Sequence, residues 1–132
     1  MNANVSLIEN LYAAFGRGDI AAIVAAMAPD VVWKVNGTPG DHPAIGTFEG
    51  PARVQEFFKI VGDTQQAVSF TPREFYDAGD TVVVLGHYAW TIRKTGKPID
   101  TDWVHIFTIK DGKVTGFREF NDTAQFAKAM RG

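Results

Sequence analysis

The chain has 132 residues, 45% hydrophobic and 21% charged, which are the size and composition of one ordinary globular domain. Its net charge of -2 predicts no partnership with nucleic acid or an anionic membrane, and the lack of cysteine excludes disulfides, thiolate metal sites and a cysteine nucleophile. The N-terminus does not have the basic and apolar regions of a secretory signal, and no apolar run approaches the ~20 residues of a membrane helix. We therefore expect a single domain over residues 1–132, located in the cytoplasm.

The first part of the chain predicts two short helices and a strand. Apolar residues recur at helical spacing over Val5–Phe15, and Gly16–Gly18 is a stop signal. Asp19 is a candidate N-cap for a second helix over Ile20–Met27. The β-branched and aromatic run Val31–Val35 indicates the first strand.

A long loop and a third helix follow. The segment Asn36–Gly50 is rich in glycine and proline, and its length suits either a rim or lid over a pocket, in Asn36–Phe48, or a plain connector. Pro51 fits the first turn of a helix that carries Val54, Phe57 and Phe58.

The second half of the chain alternates strand patterns with turn signals. Helices followed by an antiparallel meander predict an α+β fold. The expected elements are four strands, at Val68–Tyr76, Thr81–Arg93, Ile99–Ile109 and Val114–Phe120, and a terminal helix at Thr123–Met130.

The order of several short motifs resembles the SnoaL-like branch of the NTF2-like superfamily over essentially the whole chain. The motifs are Tyr12–Phe15, Gly18-Asp19, Pro29–Val31 with Trp33, Gly46–Gly50, Phe57-Phe58, Gly79–Val83, His105–Thr108, Asp111–Lys113 and Phe120–Thr123. The resemblance implies a cone, in which N-terminal helices wrap a strongly bent antiparallel or mixed sheet around an apolar pocket. It does not specify an activity, since the superfamily includes isomerases, cyclases, epoxide hydrolases, dehydratases and binding proteins.

Strand alternation then predicts which side chains line that pocket. With the aromatic sets turned inward, a small apolar molecule would contact residues from the sheet, from the helices and from the end of the last strand. The expected lining is Trp33, Val35, Tyr88, Trp90, Trp103, Phe107, Phe117 and Asn121, closed by Leu11, Tyr12, Phe57 and Phe58.

His105 and Glu119 are the candidate catalytic residues. Desolvation among aromatic rings is expected to raise the pKa of Glu119, and a nearby imidazole to act in the opposite direction. Such a pair suits general acid–base chemistry near neutral pH. The resemblance to SnoaL-type polyketide cyclases implies that the acid removes a proton α to a carbonyl and that the histidine stabilises the enolate. A purely structural pair is the alternative.

The other polar residues of the expected pocket have open roles. Tyr12 and Tyr88 are expected to be wall residues rather than hydrogen-bond donors. Asn121 fits two roles equally, either orienting a ligand carbonyl or tying down the start of the terminal helix.

Two relatives with known chemistry differ from this chain at their functional positions. The base of ketosteroid isomerase corresponds to Val35, its oxyanion tyrosine falls nearest Leu11, and His105 stands at the place of its oxyanion acid. The Asp-Arg-Asp group of limonene-type epoxide hydrolases has no counterpart, because Arg93 and Arg118 do not fall on the inward face. Both activities are therefore disfavoured.

No metal or cofactor is predicted. The three histidines have no metal-binding spacing, and a site would need His42 and Asp41 to meet Asp100 or Asp102. The chain also has no glycine-rich phosphate loop after a strand, so nothing indicates a nucleotide.

The outward faces of the strands form an apolar patch, which favours a homodimer. The terminal helix covering this patch is the alternative. The patch consists of Val83, Leu85, His87, Ala89, Val104, Ile106 and Phe120.

Three functional hypotheses remain at this level. The first is an enzyme of isomerase or cyclase type that transfers a proton on a flat apolar ligand carrying a carbonyl. The second is a protein that only binds a hydrophobic molecule, and the third is a dimeric scaffold.

Overall fold

The computed structural model describes residues 3–132, so Met1 and Asn2 of the expected domain lie outside the described residues. Three helices precede most of the strands, and one helix follows them. In chain order they are α1 (Ala3–Gly16), α2 (Ile20–Ala25), β1 (Met27–Val35), β2 (Gly46–Glu49), α3 (Pro51–Thr64), β3 (Gln65–Ala78), β4 (Thr81–Ile92), β5 (Pro98–Lys110), β6 (Lys113–Phe120) and α4 (Thr123–Met130).

The six strands form one mixed sheet in the order β2-β1-β6-β5-β4-β3. β1 and β6 are parallel, and the other neighbouring strands are antiparallel. The sheet curls around the helices, which confirms the α+β fold and the mixed, bent sheet expected from the sequence.

Alternation along the central strands separates a buried face from a partly exposed one. On β4 every second residue from Val82 to Ile92 is buried, and on β5 the same holds from Ile99 to Ile109. The buried face packs on the helices and contains the pocket. The opposite face carries the expected apolar patch, whose members are partly exposed, with Phe120 at 37%.

The terminal helix packs on the buried side of the sheet. Its Phe126 and Ala129 are buried, and the Phe126 ring meets Tyr88 and His42 inside the molecule. The alternative in which the terminal helix covers the outer patch is therefore wrong.

Several element bounds differ from the sequence prediction. α2 ends at Ala25, two residues early, and β1 already begins at Met27, tolerating Pro29 because its pairing with β6 is irregular between Met27 and Val32. The predicted loop contains β2, which pairs with β1. β3 begins at Gln65, where the backbone turns extended directly after α3. Asp19 does cap α2, since its Oδ1 accepts a hydrogen bond from the Ala22 N–H at 3.1 Å.

The helices of residues 3–132 include none long and apolar enough to cross a membrane.

Candidate active site

The concave face of the sheet and the helices enclose a cavity. The space free of atoms, including the open mouth, amounts to about 830 Å³. Rings stacked against each other, such as Trp33 on Phe117 at 3.8 Å between centroids, leave this space narrow. The cavity therefore suits a flat apolar molecule.

Most of the predicted lining lies on the cavity surface. Trp103 is the exception: it is 1% exposed, and its ring stacks on the His105 ring at 3.9 Å between centroids, behind the cavity wall. The predicted residues that line the cavity are Leu11, Tyr12, Trp33, Val35, Phe57, Phe58, Tyr88, Trp90, His105, Phe107, Phe117, Glu119 and Asn121.

The position of Trp103 has a cause in the neighbouring strand. Gly86 pairs with Trp103 across β4 and β5. A Cβ atom at Gly86 would lie 2.6 Å from Trp103 Cη2 and 2.7 Å from the Thr71 carbonyl oxygen, so only glycine leaves room for the indole ring there. The ring lies flat against the sheet as a result and supports His105 from behind.

A chain of hydrogen bonds joins α1, β5 and β6 inside the cavity. His105 and Glu119 are paired directly across β5 and β6, and His105 Nε2 lies 2.7 Å from Glu119 Oε1. The hydroxyl of Tyr12 lies 2.7 Å from His105 Nδ1. A neutral imidazole satisfies both contacts if its Nε2–H donates to Glu119 and its Nδ1 accepts from Tyr12.

The second carboxylate oxygen of Glu119 is also fully engaged. Oε2 accepts from the Tyr88 hydroxyl at 2.9 Å and from the Asn121 amide nitrogen at 2.7 Å. Because a carboxylate only accepts, the Asn121 NH₂ group must face it, and Asn121 Oδ1 points elsewhere. Within the part of the chain that the structure describes, that buried oxygen has no hydrogen-bond partner.

These contacts decide the charge state of Glu119, whose side chain is 13% exposed. Burial raises the pKa of this carboxyl, but the hydrogen bonds from His105, Asn121 and Tyr88 outweigh burial and hold the pKa below its ordinary value. Burial and the nearby Glu119 charge raise the pKa of both Tyr12 and Tyr88. Glu119 is thus ionised at neutral pH, and both phenols keep their protons.

The expectation that Tyr12 and Tyr88 only line the cavity wall is wrong, since both hydroxyls make hydrogen bonds, Tyr12 to His105 and Tyr88 to Glu119. Asn121 bonds Glu119 and also donates to the Tyr88 hydroxyl at 3.0 Å. Its side chain therefore organises the carboxylate rather than the start of α4.

Sequence reasoning missed a second polar group in the cavity. His42 is 3% exposed and lines the cavity although it comes from the loop after β1, and buried Gln65 lines it from the start of β3. The Ala44 N–H donates to His42 Nδ1 at 2.9 Å and holds the ring inward. A histidine followed two residues later by alanine gives no periodic signal, so only the glycine and proline content of the loop suggested that it was more than a connector.

His87 lies on the outer face, as predicted. Its two ring nitrogens lie 2.6 Å from Asp100 Oδ1 and 2.9 Å from Asp102 Oδ1. Since His42 is inside the cavity and these aspartates are outside, the metal grouping considered from the sequence does not form, and residues 3–132 hold no cluster of three metal-ligating side chains.

Comparison with known proteins identifies the family of the chain. Residues 8–117 match the model of the SnoaL-like domain. The chain belongs to this family. Its relatives include an uncharacterised protein of Mycobacterium tuberculosis (strain ATCC 25618 / H37Rv), 30% identical over 90% of this chain and 88% of the relative.

Two solved structures are similar to this chain over nearly their full length. An NTF2-like protein from Burkholderia thailandensis E264 has a TM-score of 0.89 and 31% identity, and all of both chains is covered. The structure of TerC co-crystallised with polyporic acid has a TM-score of 0.85 and 33% identity, with 99% of this chain and 100% of TerC covered. The family and the cone-shaped fold are therefore established for this chain.

Proposed function

We propose that the protein binds a flat apolar molecule carrying a carbonyl group and catalyses a proton transfer on it, as isomerases and cyclases do. The observation that carries this proposal is the chain Tyr12–His105–Glu119, with two contacts of 2.7 Å, at the wall of a cavity formed mainly by aromatic rings. Titratable groups coupled in this way inside an apolar cavity favour acid–base chemistry near neutral pH.

The geometry favours His105 as the base. Three donors already occupy the Glu119 oxygens and keep its pKa low, so the carboxylate is a weak base. By contrast, Nδ1 of a His105 ring that donates through Nε2 has one hydrogen-bond partner, the Tyr12 hydroxyl, which can pass its proton to Nδ1. The division of roles is the reverse of that implied by the resemblance: Glu119 orients the imidazole and stabilises the imidazolium.

The reaction then needs one proton path. The ligand loses a proton from the carbon next to its carbonyl to the Tyr12 oxygen, while the Tyr12 hydroxyl proton passes to His105 Nδ1. The electron pair moves onto the carbonyl oxygen to give an enolate. Trp33 Nε1, a buried donor that lines the cavity without a partner in residues 3–132, is available to that oxygen. The imidazolium returns the proton to the same or another atom.

TerC was crystallised with polyporic acid, so this compound belongs in the first ligand panel. The panel also includes apolar ketones, polyketide fragments, terpenoids and steroids. A ligand at a hundred times its Kd stabilises a domain by about 2.7 kcal/mol, which raises Tm by roughly 10 °C.

Deuterium exchange tests catalysis on the ketones that bind. In D₂O the wild type is expected to exchange the hydrogens next to the carbonyl, as seen by NMR, and Glu119→Gln and His105→Ala to lose this exchange while still binding. Glu49→Gln is the matched control, because Glu49 is exposed on β2. Exchange that continues at the wild-type rate in Glu119→Gln and His105→Ala would refute the proposal.

A binding protein without catalysis is the second candidate. The specific observation in its favour is that the three acceptor contacts of Glu119 are internal, so the carboxylate is satisfied without a ligand. Under this reading a ligand shifts Tm in wild type and Glu119→Gln alike, and no ketone that binds exchanges its hydrogens.

We also propose that the outer apolar patch forms a homodimer. Its strands β4 and β5 present Val83, Leu85, Val104 and Ile106 partly exposed, and α4 packs on the opposite side. Sedimentation at micromolar concentration is expected to give a dimer, and Ile106→Lys a monomer. A wild-type monomer would contradict the proposal.

A further inference from the structure

Three polar side chains from distant parts of the chain meet at the end of the cavity away from Glu119. His42 comes from the loop after β1, Gln65 from the junction of α3 and β3, and Trp90 from β4. All three are at most 6% exposed. Gln65 pairs with Ile92, two residues from Trp90 on the same face of β4, so Gln65 and Trp90 are neighbours on the cavity wall.

The polar atoms of this far-end group are poorly satisfied. Counting residues 3–132, Gln65 Oε1 and Trp90 Nε1 are buried without a hydrogen-bond partner. His42 Nδ1 accepts from Ala44, so its proton is on Nε2, which lies 3.5 Å from Thr64 Oγ1 and interacts with the Gln65 side chain. Buried polar groups left unpaired cost about 1–3 kcal/mol each, so an unpaired acceptor and an unpaired donor on neighbouring residues of the cavity wall require an explanation.

The near and far ends belong to one continuous cavity. Tyr88, which holds Glu119 at the near end, and Ile92, opposite Gln65, are four residues apart on β4, or roughly 13 Å. The Phe126 ring spans between them, meeting His42 at 5.4 Å and Tyr88 at 6.2 Å between centroids. A single elongated ligand can therefore touch both ends.

We infer that the far-end group of His42, Gln65 and Trp90 binds an oxygen substituent, so that the ligand is an elongated aromatic molecule with oxygen groups at both ends. The inference deepens the proposed function by naming the substrate class, and it rests on that proposal for the role of the near end. A hydroxyl fits best, because its oxygen accepts from an indole or imidazole N–H while its hydrogen is donated to Gln65 Oε1. The Gln65 amide reaches the ligand by turning about its last torsion, which is a soft one.

Binding of three matched probes tests the inference without any reaction. The probes are biphenyl, 4-hydroxybiphenyl and 4,4′-dihydroxybiphenyl, which share one flat skeleton and carry no, one or two terminal hydroxyls. Each hydrogen-bonded hydroxyl is expected to tighten binding by roughly fivefold. Wild-type Kd values, from quenching of tryptophan fluorescence, are therefore expected to fall along the series.

Two variants locate the second hydroxyl. Trp90→Phe keeps a ring but removes the N–H, and Gln65→Leu keeps the side-chain volume but removes the amide. Each is expected to reduce the preference for the diol over biphenyl by about threefold or more, measured as the ratio of the two Kd values. Glu49→Gln, on an exposed edge of the sheet, leaves the ratio unchanged.

Two results would overturn the inference. In the first, the diol binds the wild type no more tightly than the mono-ol does. This comparison uses only the wild type, so it decides the question even if a variant does not fold. The other is a ratio that both variants leave at its wild-type value. Either result leaves the proton-transfer proposal standing, because that proposal is tested by deuterium exchange of ketones and by Glu119→Gln. Absence of binding by all three probes would also overturn the inferred ligand class.

Discussion

A glutamine at position 119 keeps the shape of Glu119 but offers one oxygen and one NH₂ group. The oxygen is needed beside Tyr88 and Asn121, because both present hydrogens to Oε2, so the NH₂ group faces His105. His105 Nε2 must then accept, and its proton moves to Nδ1, where it is donated to the Tyr12 oxygen. We therefore expect Glu119→Gln to switch the tautomer of His105 while the hydrogen bonds among Tyr12, His105, residue 119, Tyr88 and Asn121 are kept.

The energetic consequence of this substitution is small. Three hydrogen bonds to a carboxylate become neutral ones, a loss of roughly 1 kcal/mol each. The change also removes the cost of burying a charge, which is several kcal/mol for a desolvated ion. The two effects are expected to offset to within about 2 kcal/mol at neutral pH, which limits the change in Tm to roughly 8 °C.

Glu119→Leu is the contrasting variant. It removes the acceptor for His105, Tyr88 and Asn121 together, and each orphaned donor costs about 1–3 kcal/mol. We expect it to be less stable than Glu119→Gln by at least about 3 kcal/mol in urea unfolding. Long-range ¹H–¹⁵N spectra of the histidines distinguish the two tautomers. A His105 proton that stays on Nε2 in Glu119→Gln, or a leucine variant as stable as the glutamine one, would refute the hydrogen-bond chain.

The remaining predictions concern packing and pH. Gly86→Ala forces Trp103 and the backbone of β3 apart and is expected to lower the free energy of unfolding in urea by about 3 kcal/mol. Gly116→Ala is the control, because its Cβ would meet Thr108 at an ordinary 3.5 Å. Equal stability of the two variants would contradict the clash. Burial lowers the pKa of His42 from 6.5, so folding favours the neutral ring. The contribution of His42 to the free energy of unfolding is therefore present above pH 6.5 and is lost as the pH falls through the lowered pKa. His42→Gln is expected to flatten the fall in unfolding free energy below pH 6.5, and an unchanged slope would rule His42 out as its source.

Glu119 also stabilises the folded protein less as the pH falls, but in a lower pH range than His42. Its pKa in the folded protein lies below the ordinary 4.5, so its contribution is present above pH 4.5 and is lost as the pH falls through the lowered value. In Glu119→Gln the pH dependence below 4.5 is expected to weaken while that between 4.5 and 6.5 persists. If both windows weaken together, the two groups are coupled more strongly than their separate positions imply.

The sheet could be predicted from the sequence because its signal is local and periodic. On β5 the inward set Thr101, Trp103, His105 and Phe107 alternates with the outward set that includes Asp102. Only one register of the strand buries the aromatic side chains. The hairpin turn between β5 and β6 then places His105 and Glu119 opposite each other. The facing of these two residues therefore followed from alternation and turn positions alone.

The rest of the site could not be predicted because it depends on packing between distant elements. Tyr12 meets His105 only through the rotation of α1 on the sheet, and Trp103 leaves the cavity surface because Gly86 gives its ring room on the neighbouring strand. His42 turns inward through one bond to the Ala44 backbone in a loop without periodicity. Each outcome is decided by close approach across the fold, on which a sequence pattern carries no information.

The placement of polar groups argues against a cavity that is only a packing defect. A core that serves stability alone gains by being apolar, because paired buried charges are often worth no more than well-packed hydrophobic side chains. Here the near end holds an ionised Glu119 with its three donors, and the far end holds Gln65 and Trp90 atoms that find no partner among residues 3–132. Unpaired buried atoms lie on both sides of the cavity, since Asn121 Oδ1 beside Glu119 also has no partner among residues 3–132. An elongated ligand with two polar ends would satisfy both sides, and the biphenyl series tests that requirement at both ends at once.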